Sequence, residues 1–341
     1  MEVYIDKENL VSFIEARNNP NYKDCYEDCC RLLKRQLHIN YNFEKSRDLL
    51  ENELLRTYFV SSGQGVGNSD ADSYISDKFP LRPIKSNVAN SFSKKQRSAV
   101  FLIDDEKTNL LEDKGSLILG SFGKEVDALK TLFCGNDYDF HKIYDIQSKT
   151  SFSGWEQISK DKLNLPLSDI IVMDRYLGGQ IPELIDYNLN KLLDVLVERV
   201  KAEVNIVFFC NKKFYSKDLK SDIIPNWEQF KKDIKGKVKN TTGCNCNVTL
   251  VFYSQSNVPH DRVIFTNYMM YRSGDSFCYY NSTGKMISNG TSLDVNSLAK
   301  KDNFDFAMSF IQQVQALYDD IKGLNNPNLI LGDLKSNYLR L

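Results

Sequence analysis

Hydrophobic and polar positions change rhythm several times along this chain, and the changes divide it into elements. The rhythm is helical early on. Tyr26 to Leu37 (YEDCCRLLKRQL) and Asn42 to Phe59 (NFEKSRDLLENELLRTYF) carry apolar residues at helical spacing, with Leu49, Leu50, Leu54 and Leu55 on one side of the second stretch. Core packing is the expected use of these faces, and a partner-binding surface is the alternative. Ser61 to Asp72 (SSGQGVGNSDAD) breaks the pattern. A phosphate-cradling loop sits between a strand and a helix, whereas the GxGxG run at Gly63, Gly65 and Gly67 leads into Asp, Ser and Asp, so a surface loop is expected. Phe79 to Lys85 is extended and fixed by two prolines, and the cluster Lys94, Lys95 and Arg97 reads as solvated surface.

Short apolar runs then replace the helical rhythm. Ala99 to Asp104 (AVFLID) and Ser116 to Leu119 (SLIL) predict buried strands. After the second, Gly120-Ser121-Phe122-Gly123-Lys124-Glu125 leads into a helix with Val126, Leu129, Leu132 and Phe133 inward; no Ser or Thr follows Lys124, so this is not a P-loop. Asp104-Asp105-Glu106 at a strand end fits a turn and helix start, with a magnesium site as the alternative. Residues 136–168 are polar and aromatic, and a domain boundary is placed there, giving a helical and α/β region at 1–150 and a second module at 151–341.

From Asp169 the pattern is regular. Ile170–Met173, Val204–Cys210 and Asn247–Tyr253 predict strands, separated by a helix over Asn188–Val200 and another around Trp227 and Phe230. The β-branched run from Arg262 to Asn267 is a fourth strand, and Tyr268–Arg272 with Phe277–Tyr280 predict a closing hairpin. Asn303–Gly323 forms a final helix with Phe306, Phe310, Ile311, Val314 and Leu317 on its buried face. The expected fold class is α/β: a mixed, mostly parallel sheet with flanking helices, behind the N-terminal helical and α/β region.

Composition narrows the function classes. The 341 residues are 42% hydrophobic and 26% charged, with a net charge of −1, so no global basic field announces nucleic acid. The N-terminus lacks the features of a signal peptide, and no apolar run is of membrane-spanning length, which points to a cytoplasmic protein. Of eight cysteines, Cys25, Cys29 and Cys30 cluster, as do Cys244 and Cys246. Neither cluster has the CxxC spacing of a zinc site, and reduced structural cysteines are expected, with no metal and no cofactor.

Candidate chemistry collects where the predicted strands end. In a parallel sheet the carboxyl ends share one edge, and ligands bind there. Asp174 and Tyr176 end the first strand of the module, Asn211 and Lys212 the second, and Ser254 and Gln255 the third. His260 and Arg262 open the fourth; if it runs antiparallel across the short Ser254–Pro259 link, its start joins them. A histidine and a cation at i and i+2 on a strand share a face, a geometry suited to a phosphate or another anion.

His260-Asp261-Arg262, then Val263 to Thr266, then Asn267 resembles the motif of the phospholipase D superfamily: a histidine, one residue, a lysine, four residues and an aspartate. Gly274 to Asn281 loosely echoes that family's following Gly-Ser-x-Asn strand, and the upstream order of strands and helices is similar across roughly residues 165–295. The resemblance implies a phospholipase D-like module in which His260, Arg262 and Asn267 stand at the catalytic positions and Arg262, Lys212, Tyr176 and Asp174 line an anion site. Two departures qualify it. Arg262 replaces the phosphate-binding lysine, which keeps the charge and adds a bidentate grip. Asn267 replaces the aspartate, removing a carboxylate that would orient the histidine. The chain holds one such motif where the catalytic site needs two; a homodimer would supply the second, as in single-motif nucleases of the family. The variant also resembles members that bind rather than cleave, including a membrane-binding domain of trafficking proteins.

Three functions follow as expectations. The first is a bacterial defence or mobile-element effector or accessory protein that binds nucleic-acid phosphate through a degenerate site. The second is a homodimeric phosphodiesterase or nuclease using His260 and Arg262. The third is a non-enzymatic adaptor that recruits a protein partner through its N-terminal helices.

Overall fold

The computed structural model describes residues 140–146, 154–160, 165–177, 185–198, 200–216, 220–253, 262–286 and 291–341, together with short runs at 1–5, 38–41, 51–54, 56–57, 99–102 and 117–118 and the single residues 11, 15 and 115. The chain forms two compact units: Met1–Phe140 with Leu298–Phe304, and His141–Ser297 with Asp305–Leu341.

The first unit is built on a parallel sheet. β1 (Glu2–Ile5), β2 (His38–Tyr41), β3 (Ala99–Leu102) and β4 (Leu117–Ile118) lie in the order β2-β1-β3-β4. The apolar runs expected as strands at 99–104 and 116–119 thus supply β3 and β4 over their described residues, and these are joined by β1 and β2, which carry no comparable apolar run. Residues 51, 53, 54, 56 and 57 are helical, and Leu54, expected on a packed side, is 41% exposed. The predicted helix at Tyr26–Leu37, the glycine loop at 61–72, the extended segment at 79–85, the basic cluster at 94–97, Asp104-Asp105-Glu106, the strand–turn–helix continuation at 120–133 and the cysteines at 25, 29 and 30 lie outside the described residues.

The second unit holds β5 (His141–Ile146), β6 (Asp169–Met173), β7 (Glu203–Cys210), the short β8 (Phe214–Ser216) and β9 (Ser221–Ile223), β10 (Asn245–Phe252), β11 (Arg262–Thr266), β12 (Met269–Ser273), β13 (Thr291–Ser297) and β14 (Ile330–Gly332). Its described helices are α1 (Glu156–Lys160), a π-helical turn (Asp186–Asn190) running into α2 (Lys191–Val197), α3 (Trp227–Thr242) and α4 (Lys301–Gly323), which joins this unit from Asp305 onward. Eight strands make one mixed sheet in the order β14-β10-β7-β6-β11-β12-β13-β5, while β8 and β9 form a separate hairpin.

The α/β class and the mixed sheet are as the sequence pattern predicts; the expected predominance of parallel pairing is not found in this sheet. β6, β7 and β10 pair in parallel, and every other neighbour in this sheet is antiparallel. The difference comes from three strands that the hydrophobic pattern does not reveal. β5 (HKIYDI) alternates, with Tyr144 and Ile146 buried and Ile143 60% exposed. β13 (TSLDVNS) also alternates, and β14 spans three residues. Phe277–Tyr280, expected as a strand, is a loop whose Tyr280 bridges Met286; β13 takes its place beside β12.

The central strands are apolar because both of their faces are covered. All five residues of β6 are buried, as are the last seven of β7. α3 packs through a stripe of Trp227, Phe230, Ile234 and Val238. Its start is fixed by Asn226, whose side chain accepts a hydrogen bond from the Gln229 amide at 3.0 Å, and its end by Gly243 in the left-handed conformation. α4 buries Ala307, Phe310, Ile311, Val314, Tyr318 and Ile321. Phe306, expected inward, is 47% exposed and lies beneath the Arg272 guanidinium, 5.1 Å from its ring centroid.

Two features of the topology place the candidate site. The chain runs β6–α2–β7–α3–β10 in one direction across the sheet, then returns to lay β11 on the other side of β6. Strand order therefore reverses between β6 and β11. β11 is antiparallel, as the short link from β10 suggests, but its neighbour is β6 and not β10.

Candidate functional site

β11 and β6 pair with Val263 opposite Met173. One step further out, Arg262 stands across from Asp174, at the edge where β6, β7 and β10 present their carboxyl ends. Residues directly opposite in an antiparallel pair share a face. The geometry thus brings Arg262 and Asp174 together, with Tyr176 two residues beyond Asp174 and Lys212 just past the end of β7. Tyr176 is 40% exposed, and Lys212 is half-buried, its carbonyl accepting from the Trp227 indole N–H at 3.2 Å. His260 and Asp261, with Ser254 and Gln255, lie outside the described residues.

Asn267 does not join them. It follows the far end of β11, about 16 Å from Arg262 at roughly 3.3 Å per residue. There it is 1% exposed. Its side-chain oxygen accepts from the amides of Ser168 and Asp169 at 2.8 and 3.1 Å, and its NH2 donates to the Ser168 hydroxyl at 3.0 Å. Asn267 therefore secures the amino end of β6, and the length of β11 keeps it from the reacting position assigned to it by motif spacing.

Asp174 is 2% exposed. One carboxylate oxygen accepts from the Tyr176 amide at 2.9 Å; the other accepts from the Ser276 hydroxyl and the Phe277 amide, both at 2.8 Å. Burial pushes its pKa above the ordinary carboxylate value, against the lowering effect of these three donors and of the Arg262 charge. Arg262 is half-buried and donates from Nη1 to the Gly274 carbonyl at 3.2 Å. The loop after β12 is thus held from both sides, by Arg262 through Gly274 and by Asp174 through Ser276 and Phe277.

Further anchors fix the rest of that loop. The Asn188 side chain, fully buried in the π-helical turn, donates to the Tyr280 carbonyl and accepts from the Tyr280 amide, each at 2.8 Å. Tyr279 donates to the Ser273 hydroxyl at 2.8 Å and stacks on Trp155 with centroids 4.9 Å apart. Ser276 also lies 3.0 Å from the Cys278 thiol.

A second cation belongs to the same edge. Burial raises the pKa of the Tyr253 hydroxyl, opposed by a hydrogen bond and by charge from Arg175, the residue after Asp174. The Arg175 carbonyl accepts from the Asn211 amide at 3.2 Å, which carries the β6–β7 pairing past the formal strand end. Arg175, Ser276 and Asn188 are absent from the motif-based set. Arg175 is visible in the sequence as a charge beside Asp174; Ser276 and Asn188 carry no local signal.

Of the cysteines weighed for metal, the buried Cys246 thiol is pushed up to about 12 by burial. Cys244 lies 3.7 and 3.6 Å from the carbonyls of Val200 and Thr242. No helix among the described residues is long and apolar enough to cross a membrane. No protein-family model matches this chain, and neither does any curated protein.

Proposed function

We propose that the edge formed by Arg262, Asp174, Arg175 and Lys212 binds the phosphate of a nucleic acid, as a degenerate phospholipase D-like site. The observation that carries this reading is the juxtaposition of Arg262 with Asp174 at the place where strand order reverses. Crevices outside the carboxyl ends of strands at such a reversal are the ligand-binding positions of open α/β sheets. A guanidinium there grips a phosphate bidentately without a metal. Asn267, the aspartate position of the motif, serves β6 and adds no carboxylate to this edge, which favours binding over cleavage. A role as a bacterial defence or mobile-element accessory protein is in keeping with such binding.

The test is fluorescence anisotropy with a fluorescein-labelled oligothymidylate, run beside a gel assay of the same probe for cleavage. Wild-type protein is expected to bind the probe and leave it intact. Arg262→Ala is expected to weaken binding about tenfold, the loss of roughly one charge-assisted phosphate contact. Equal affinity in wild type and variant would overturn the reading. Cleavage abolished by His260→Ala would replace it with the hydrolase.

A further inference from the structure

The Asp174 carboxyl group offers an anion no attraction. Its position at the centre of the candidate edge therefore calls for an explanation. We infer that Asp174 is a positioning residue for Arg262, acting through the loop that begins at Gly274. This inference rests on the phosphate-site reading and names the device that holds that site in shape.

The connection can be followed atom by atom. β6 is buried along its whole length, so Asp174 is presented from a rigid strand. Its Oδ2 receives the Ser276 hydroxyl and the Phe277 amide at 2.8 Å. These bonds set the path of the backbone from Ser273 to Phe277, and with it the direction of the Gly274 carbonyl. That carbonyl accepts from Arg262 Nη1 at 3.2 Å. The guanidinium is long and flexible, and a fixed acceptor on one of its nitrogens selects its orientation. The three donors on the Asp174 carboxyl group are all uncharged, and the Arg262 charge acts on that group across the strand pair. Both effects pull the guanidinium toward one place.

The substitution Asp174→Asn isolates the device. The side chain keeps its size, but its NH2 takes the place of one accepting oxygen, Oδ1 with one hydrogen bond or Oδ2 with two. Whichever way the amide turns, at least one donor from the Tyr176, Ser276 and Phe277 set faces another donor. Ser276→Ala removes a single bond, and Ser276→Thr restores the hydroxyl.

The experiment is a double-mutant cycle with the same labelled oligothymidylate and the full chain. Asp174→Asn is expected to weaken binding about fivefold in the wild-type background and to change nothing in the Arg262→Ala background, since its effect passes through that guanidinium. Ser276→Ala should show a smaller loss, and Ser276→Thr should regain wild-type affinity. If Asp174→Asn weakens binding by the same factor in both backgrounds, or leaves it unchanged, Asp174 does not position Arg262. The Ser276 pair decides the matter if the Asp174 variant does not fold: equal affinities of the Ala and Thr variants overturn the inference. The two claims fail differently. Arg262→Ala at wild-type affinity removes the phosphate site and the inference with it, whereas a weakened Arg262→Ala with an additive Asp174→Asn removes the inference alone.

Discussion

Asn267 and Arg262 lie five residues apart in one motif and end up with unrelated work. Arg262 opens β11 at the candidate edge; Asn267 closes the far end and caps the first amides of β6. Truncation of Asn267 leaves two buried N–H groups without their acceptor, each worth about 1–3 kcal/mol. Asn267→Ala is therefore expected to lower unfolding stability by roughly 3 kcal/mol, read from chemical denaturation, with oligonucleotide affinity unchanged among the molecules that remain folded. An Asn267→Ala protein of wild-type stability would contradict this account. The sequence announces both residues, because each is a polar group at the end of an apolar run. It does not announce their partners. Ser276 and Phe277 reach Asp174 from 102 and 103 residues away, and Ser168 lies 99 residues from Asn267. Hydrogen bonds across such separations leave no periodic trace in the chain, so the motif could suggest a site without revealing what holds it.

The C-terminal segment shows the same limit one level up. β14 is three residues in a polar stretch, too short for any rhythm, yet it closes the β10 edge of the sheet. It does so at Gly332, whose φ of 114° suits glycine and whose position leaves a Cβ in collision with the Val248 backbone. Gly332→Ala is expected to cost about 1–3 kcal/mol and to expose to hydrogen exchange the β10 amides that face β14; protection of Leu250 and Phe252 at the wild-type level would contradict it. Asp333 continues the attachment, accepting from the Val248 amide at 2.7 Å and from Lys235. Beyond it, the Asn337 amide and side chain donate to fully buried Asp169 at 2.7 and 2.6 Å, and Ser168 donates at 2.8 Å. Burial raises the pKa of Asp169 despite these donors. The native protein then binds that proton more tightly than the unfolded chain, so this residue's contribution to stability falls as pH rises above about 4. Asp169→Asn removes the slope. The stability difference between wild type and Asp169→Asn, followed by denaturation over this range, is expected to shift in favour of the wild type on acidification, and a pH-independent difference would contradict the assignment.

At the scale of the molecule, the hydrophobic pattern was enough to give an α/β chain and most central strands of the second unit, because strands buried on both faces are continuously apolar. It was not enough to give the sheet. β5 and β13 alternate as strands at the flank of a sheet do, and their polar positions disguise them among turns and loops. Without them the sheet looks more parallel than it is. The decisive topological fact, that β11 returns to the side of β6 rather than staying next to β10, follows from pairing and not from composition. That return places Arg262 opposite Asp174 and gives the proposed phosphate site its position. The measurement that tests this claim most directly is the salt dependence of oligothymidylate binding in wild type and Arg262→Ala. Each phosphate contact with a single strand contributes roughly −0.7 to the slope of log affinity against log salt concentration. The slope is expected to be less steep in Arg262→Ala by about that amount, with a lower affinity at every salt concentration. Parallel lines of equal affinity would mean that Arg262 touches no phosphate, and that the edge it opens is not the binding site.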